Sequence, residues 1–350
     1  MAALLFLPCL LHAETGAEAW LRYAPLPEAD RVKYASLPAN VVVLSDSPLL
    51  RSAQQEMVRG VRGMLGTTLR EDSSQIDEAS IVLGTVSDLR AAGIDLQAPP
   101  ELGRKNNGFW IKAARVAGFS CTVIAGSDER GVLYGVFAFL GKIARHQDVG
   151  VLDEAQQPYA PIRWVDQWDN LDGRIERGYA GPSIFFDGGS VRTDLTRARD
   201  YARLLASLGI NGCTINNVNA NPKVLEDSFL PQLARVADVF RPWGVRLSIS
   251  VNLSSPKAVG GLDTFDPLDA RVEEWWRKKI DAIYRLVPDF GGVVVKADSE
   301  GQLGPSTYNR TPADAANVIA RALKPHGGVV FYRAFVYNHH LDWQQLKNDR

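Results

Sequence analysis

Cysteine is scarce in this sequence, with three residues in 350. That excludes a disulfide-built scaffold, in which cysteines are far denser. Cys9 lies in an N-terminal apolar run, while Cys121 and Cys213 sit in apolar, strand-like stretches of different expected domains. Both read as buried thiols, since a bridge would need close Cα atoms that spacing cannot supply. Histidine is nearly as rare, at five. No Cys/His group has metal-ligand spacing, and the adjacent rings of His339 and His340 diverge on a strand or a helix alike. No metal and no cofactor is therefore expected. Net charge is −1, without a basic run, which excludes nucleic acid as the main partner. No apolar stretch approaches the ~20 residues of a membrane span. Gly135–Lys142 resembles a phosphate loop only superficially: its spacing is one residue too long, Ile143 replaces the Ser/Thr, and the segment reads as a helix.

What is present bounds the fold. An apolar share of 46% over 350 residues is enough for cores in two domains. Ala2 to Leu11 is apolar and too short to span a bilayer. It reads as the core of a secretory signal cleaved after Ala13, although no Lys or Arg precedes it. The protein is accordingly expected to be secreted or periplasmic. Residues 14–150 read as a small α/β domain. Its strands are Val41–Leu44, Ser80–Gly84, Gly108–Lys112 and Thr122–Ala125, with helices over Leu50–Leu65 and from Ser127 to about Arg145. Gln147–Pro161 reads as the linker.

From Ile162 strands and helices alternate. The strands are Ile162–Trp168, Gly212–Val218, Val245–Leu253, Gly292–Glu300 and Val329–Tyr337. Helices lie near Leu195–Leu208, Leu230–Phe240, Arg271–Leu286 and Thr311–Leu323. The last has a clear start, with Thr311 as N-cap, Pro312 at N1 and Asp314 at N3. Repeated βα units imply a parallel sheet, and their length and polar strand ends favour a (β/α)8 barrel over a doubly wound sheet. A complete barrel takes about 250 residues, more than remain after Ile162. The fold class expected is thus α/β: a small N-terminal α/β domain, then an incomplete (β/α)8 TIM barrel of about five strands over 151–350, truncated.

The chemistry concentrates at strand C-termini. In Val293-Val294-Val295-Lys296-Ala297-Asp298-Ser299-Glu300, alternation places Lys296, Asp298 and Glu300 on one face, with Val293, Val295 and Ala297 on the other. Charges pointing into a barrel are costly unless solvated, paired or used. The alternative for this strand alone is a structural Lys–Asp pair with a rim glutamate. Other strand ends carry Trp168-Asp169-Asn170, Asn216-Asn217-Val218-Asn219, Asn252 and Arg333, with Phe331 and Phe335 in the parity of Arg333. Amides and Trp suit a sugar, and Lys296 with Arg333 suits an anionic group on it.

Three strings carry a family resemblance: Trp168-Asp169-Asn170-Leu171-Asp172-Gly173-Arg174-Ile175-Glu176-Arg177-Gly178-Tyr179-Ala180-Gly181, Lys296-Ala297-Asp298-Ser299-Glu300-Gly301-Gln302, and Arg333-Ala334-Phe335-Val336-Tyr337. Together with Trp20-Leu21-Arg22-Tyr23 they resemble glycoside hydrolase family 67, over essentially the whole mature chain. Asp166-Gln167, Leu303, Pro312 and Ala315 depart from the family's usual residues. The resemblance implies an inverting α-glucuronidase acting on glucuronoxylan-derived oligosaccharides. Glu300 would be the general acid, and Lys296 and Arg333 the cations that hold the uronate. Trp168 and Val218 would shape the pocket, with Asp169, Asn217 and Asp298 as further substrate contacts. The family's base carboxylates fall after residue 350, so the chain alone is expected to be inactive. A homodimer is an expectation for the full-length protein only. Two other readings stand beside this one: a non-catalytic uronate-binding fragment, and a retaining glycosidase of the hexosaminidase type.

Overall fold

The computed structural model describes residues 16–72, 75–103 and 106–333. The expected signal segment lies outside the described residues. So do Phe335, Tyr337, the His339-His340 pair and the end of the fifth barrel strand beyond Arg333.

The N-terminal unit is built on a six-stranded sheet. Its strands are β1 (Asn40–Val43), β2 (Arg70–Asp72), β3 (Ser80–Thr85), β4 (Phe109–Val116), β5 (Phe119–Gly126) and β6 (Asp153–Gln156), in the order β2-β1-β3-β5-β4-β6. The β1, β2, β3 and β5 ladders are parallel, while β4 runs antiparallel to β5 and β6. Strand β6 falls inside the stretch read as a linker; its sequence, Asp-Glu-Ala-Gln, carries no strand signal, and pairing along β4 is what orders it. Both sheet faces are apolar, as the unbroken Val41–Val43 and Ile81–Leu83 runs require. Short α1 (Glu28–Arg31) precedes β1. One face packs on α2 (Pro48–Leu65) and α4 (Glu129–Ala144) through Val41, Ile81, Leu83 and Ile124; the other buries Val82, Trp110 and Val123 with Leu89 of α3 (Val86–Ala91). Gly135 to Lys142 is helix interior, and Cys121 and Cys213 are buried free thiols.

The second unit holds a five-stranded parallel sheet: β7 (Trp164–Asp166), β10 (Gly212–Thr214), β11 (Arg246–Val251), β12 (Gly292–Lys296) and β13 (Val329–Arg333). Between β7 and β10 lie the small hairpin β8–β9 (Phe186–Asp187, Ser190–Val191) and α5 (Thr196–Ser207). Helices α6 (Leu230–Phe240), α8 (Ala270–Leu286) and α9 (Pro312–Leu323) connect the remaining strands, with the short α7 (Ser255–Ala258) ahead of α8. Strand order follows chain order without a reversal, which excludes the doubly wound alternative. The sheet is also curled. In a flat sheet β7 and β13 would stand roughly 19 Å apart, yet Trp164 of β7 and Phe331 of β13 meet with ring centroids 5.2 Å apart. This is the wall of an incomplete barrel. Val293 and Val295 face the helices and are fully buried. Gly292 is obligatory for this wall: its φ is +140°, and a Cβ there would lie 1.9 Å from the Val329 carbonyl oxygen.

Helix α9 starts as its sequence specifies. The Thr311 hydroxyl accepts from the Asp314 N–H, and the Asp314 carboxylate accepts from the Thr311 N–H. Thr311→Ala is expected to cost about 1 kcal/mol of folding stability, read from the midpoint of urea denaturation.

The N-terminal unit supports the barrel from below, near the starts of its strands. Arg163, just before β7, donates to Asn107 and Gly209; Asn211, just before β10, donates to Asn107; Arg130 of α4 donates to the Gly244 carbonyl just before β11. On a different side, the Glu56 carboxylate of α2 is fully buried. It accepts from Arg203 of α5 at 2.7–3.1 Å and from the Tyr23 hydroxyl at 2.5 Å.

Candidate active site at the C-terminal ends of the barrel strands

Lys296 ends β12, and its register partner on β13 is Arg333. Partners on neighbouring strands point to the same face, so the two cations project together into the mouth. The Lys296 side chain is only 1% exposed. Its ammonium donates to the Asn219 side-chain carbonyl at 2.6 Å and to the Glu300 carboxylate, an ion pair four residues along the chain. The Arg333 guanidinium lies over the Trp168 ring, 5.2 Å from its centroid, a cation–π contact made across the curled sheet.

The path from Lys296 to Glu300 differs from the expected strand. The β12 ladder stops at Lys296, and Asp298 and Glu300 adopt left-handed backbone, with φ of +54° and +50°. Two such residues break the pleat, so the parity that grouped Lys296, Asp298 and Glu300 does not hold past Lys296. Asp298 instead turns to the following loop, where its carboxylate accepts from the Ser306 backbone N–H at 3.2 Å and from the Ser306 hydroxyl. Glu300 reaches Lys296 from a tight turn in which the Gln302 N–H donates to the Ser299 carbonyl at 2.9 Å. Asn252, at the end of β11, anchors that turn by donating to the Gln302 side chain at 2.7 Å.

Electrostatics also depart from expectation. A general acid works best with a raised pKa. The Lys296 ammonium, by hydrogen bond and by charge, instead holds the Glu300 carboxyl below the ordinary glutamate value, with smaller help from Asn219 and Arg177. In this arrangement Glu300 is a carboxylate paired with a cation.

The other expected residues divide by role. The segment after β7 folds back over the mouth, with the Glu176 N–H donating to the Trp168 carbonyl at 2.8 Å and the Asn170 amide donating to the Glu176 carbonyl at 2.6 Å. Asp169 is fully buried beneath it. One carboxylate oxygen accepts from the Ser183 hydroxyl at 2.5 Å, and burial raises its pKa. The Asn217 N–H donates to the Asp169 carbonyl, and its side-chain oxygen accepts from the Asn219 N–H. Val218 is buried, at 2% exposure. An open cavity of about 360 Å³ lies here, lined by Asp169, Glu176, Arg177, Asn216, Asn217 and Asn219 among others. Sequence reasoning did not single out Asn219, Glu176 or Arg177. Asn219 was visible as one of several amides at a strand end; Glu176 and Arg177 lay in a recognisable string without a role.

The structure thus brings together Lys296 with Glu300, and Arg333 with Trp168, and places Asp169 and Asn217 in the wall of the cavity beside them. Among the described residues no cluster of His, Cys, Asp and Glu could hold a metal, and no helix is long and apolar enough to cross a membrane.

Comparison with known proteins gives a consistent picture. Residues 19–139 match the family model for the glycosyl hydrolase family 67 N-terminus, and residues 142–350 match that for its middle domain. A probable alpha-glucuronidase A of Aspergillus terreus is 48% identical over 97% of this chain and 40% of its own length. Alpha-glucuronidase A of Emericella nidulans is 47% identical over 98% of this chain and 42% of its own, and the alpha-glucuronidase of Hypocrea jecorina is 47% identical over 95% and 40%. The chain therefore spans about two fifths of the length of these relatives. Among solved structures, a GH138 enzyme targeting pectin rhamnogalacturonan II superposes with a TM-score of 0.52 at 16% identity, over 84% of this chain and 35% of that one. That likeness concerns the fold alone.

Proposed function

Because the chain belongs to glycosyl hydrolase family 67, we propose that it forms the proton-donating and uronate-binding part of an α-glucuronidase. The observation that carries this reading is the pair of register-matched cations beside an accessible glutamate at the mouth of a curled parallel sheet. Two adjacent cations, Lys296 and Arg333, match one carboxylate. The Trp168 face and the amide-lined cavity suit the ring and hydroxyls of a sugar. On this reading Glu300 protonates the departing oxygen of an α-1,2-linked (4-O-methyl-)glucuronic acid on a xylooligosaccharide.

That oxygen is a poor leaving group. Protonation during bond cleavage is what a carboxylic acid contributes, and inversion requires a second carboxylate about 6.5–9.5 Å away that activates water from the opposite face. Asp298 is a poor candidate for it, since its carboxylate is engaged by Ser306. Turnover on this reading belongs to a longer polypeptide, and the 350 residues alone bind without hydrolysing. The apolar N-terminal run supports a secreted or periplasmic site of action.

Calorimetry on the 350-residue chain tests the reading. D-Glucuronate is expected to bind and D-glucose not to compete. Lys296→Met or Arg333→Met should each weaken glucuronate by about 10- to 100-fold, the scale of one charge-assisted contact. Equal affinity for glucuronate and glucose, or variants that bind like the parent, would rule out uronate recognition at this site.

A further inference from the structure

The uronate-binding lysine and the proton donor of this reading are each other's partner. An ammonium as buried as Lys296 must be compensated, and here Asn219 and the Glu300 carboxylate do so. Two conflicts follow. Glu300 cannot donate a proton while it is ionised by contact with an ammonium, and a uronate cannot claim the Lys296 charge while Glu300 holds it. One event resolves both.

We propose that a sugar carboxylate engaging Lys296 displaces Glu300 from the ion pair and lets Glu300 take up the proton it later donates. The inference deepens the α-glucuronidase reading and rests on it. It makes Lys296 a coupling residue as well as a clamp: only a sugar that carries an anion arms the acid, so neutral sugars are rejected in the chemical step as well as in binding.

The geometry assigns which partner moves. Lys296 is fixed, with its side chain 1% exposed at a strand end, while the Glu300 side chain is 57% exposed on a turn of left-handed residues. The groups facing Glu300 are Lys296 from β12, Asn219 from the segment after β10, and Arg177 from the loop after β7. Arg177 lies 3.4 Å from the Glu176 carboxylate. Bringing an anion to Lys296 cancels the charge that favours ionised Glu300 and adds a like charge beside it. Both effects favour the neutral acid. The proton comes from solvent, one O–H bond forms on Glu300, and the sugar carboxylate stays ionised against Lys296 and Arg333.

The sign of the linkage follows. The Glu300 carboxyl is held low in the ion pair and rises on engagement. Binding therefore takes up a proton between the two values. Affinity increases as pH falls through that window and is flat above and below it.

The test is calorimetry of the 350-residue chain with sodium D-glucuronate, in buffers of different protonation enthalpy, from about pH 7 to about pH 4.5, where a sugar carboxylate is ionised. The expected result is proton uptake with a dissociation constant that falls by up to about tenfold per pH unit inside the window. Glu300→Gln should still bind, several-fold tighter than the parent near neutral pH, with no uptake, because its amide neither titrates nor competes as an anion for Lys296. Glucuronate binding without uptake, or uptake that survives in Glu300→Gln, overturns the coupling and leaves uronate recognition standing. A folded parent chain that does not bind glucuronate overturns both.

Discussion

In a polypeptide that carries this segment within a complete barrel, Glu300→Gln is expected to slow hydrolysis of aldouronic acids by about 10²- to 10⁴-fold, the range of general acid catalysis. The loss should fall on kcat while the substrate binds no more weakly, and near neutral pH several-fold more tightly, because the amide preserves shape, has no proton to give and does not compete as an anion for Lys296. Leaving-group chemistry provides the control. A xylose hydroxyl needs protonation as the bond breaks, whereas an activated aryl oxygen leaves as a stable anion. An aryl α-glucuronide should therefore be cleaved by Glu300→Gln at a rate close to that of the parent. A comparable loss on both substrates would show that Glu300 positions the sugar instead of protonating it. Full retention of activity on aldouronic acids would remove it from the mechanism.

The second large effect is structural and lies far from the mouth. Glu56→Ala is expected to destabilise the chain by about 3–5 kcal/mol, the cost of leaving one member of a buried ion pair without its partner. The carboxylate receives two Arg203 nitrogens, Nε and Nη2, and the Tyr23 hydroxyl, and all three side chains are buried. Removing it strands a guanidinium and a phenol at once, at the junction of α2 with α5. The double variant Glu56→Leu/Arg203→Met should recover most of the loss, because two apolar groups of similar size need no compensation. Urea denaturation of the parent, Glu56→Leu, Arg203→Met and the double variant gives the coupling. A loss below about 1 kcal/mol for Glu56→Ala is the value of a solvated pair and would refute the burial argument.

Much of the fold was legible because its signals are local. The Val41–Val43 and Val293–Val295 runs, the Thr311-Pro312-Asp314 helix start and the spacing of α2 and α4 each depend on residues within one or two turns. The repeated βα pattern then implied a parallel sheet, and the register confirms it. Recognition of the site was partly local as well. Lys296 and Glu300 stand four residues apart, and Trp168 lies just past β7.

What the sequence by itself determined is therefore the order and kind of the principal elements, the parallel barrel wall, and some of the residues at its rim. Tertiary structure alone decided how those residues act. Periodicity extended β12 to Glu300, but left-handed backbone at Asp298 and Glu300 ends the pleat, sends Asp298 to Ser306 and returns Glu300 onto Lys296. The contact of Trp168 with Arg333, 165 residues apart in sequence, exists only because the sheet curls. Strand β6 forms only because β4 offers an edge, and Glu56 is buried only because Arg203 arrives from another domain. The physical reason is common to all of these. Backbone preference and apolar period are written within a few residues, whereas burial, curvature and the partner of a charge are set by chain segments that meet only after folding.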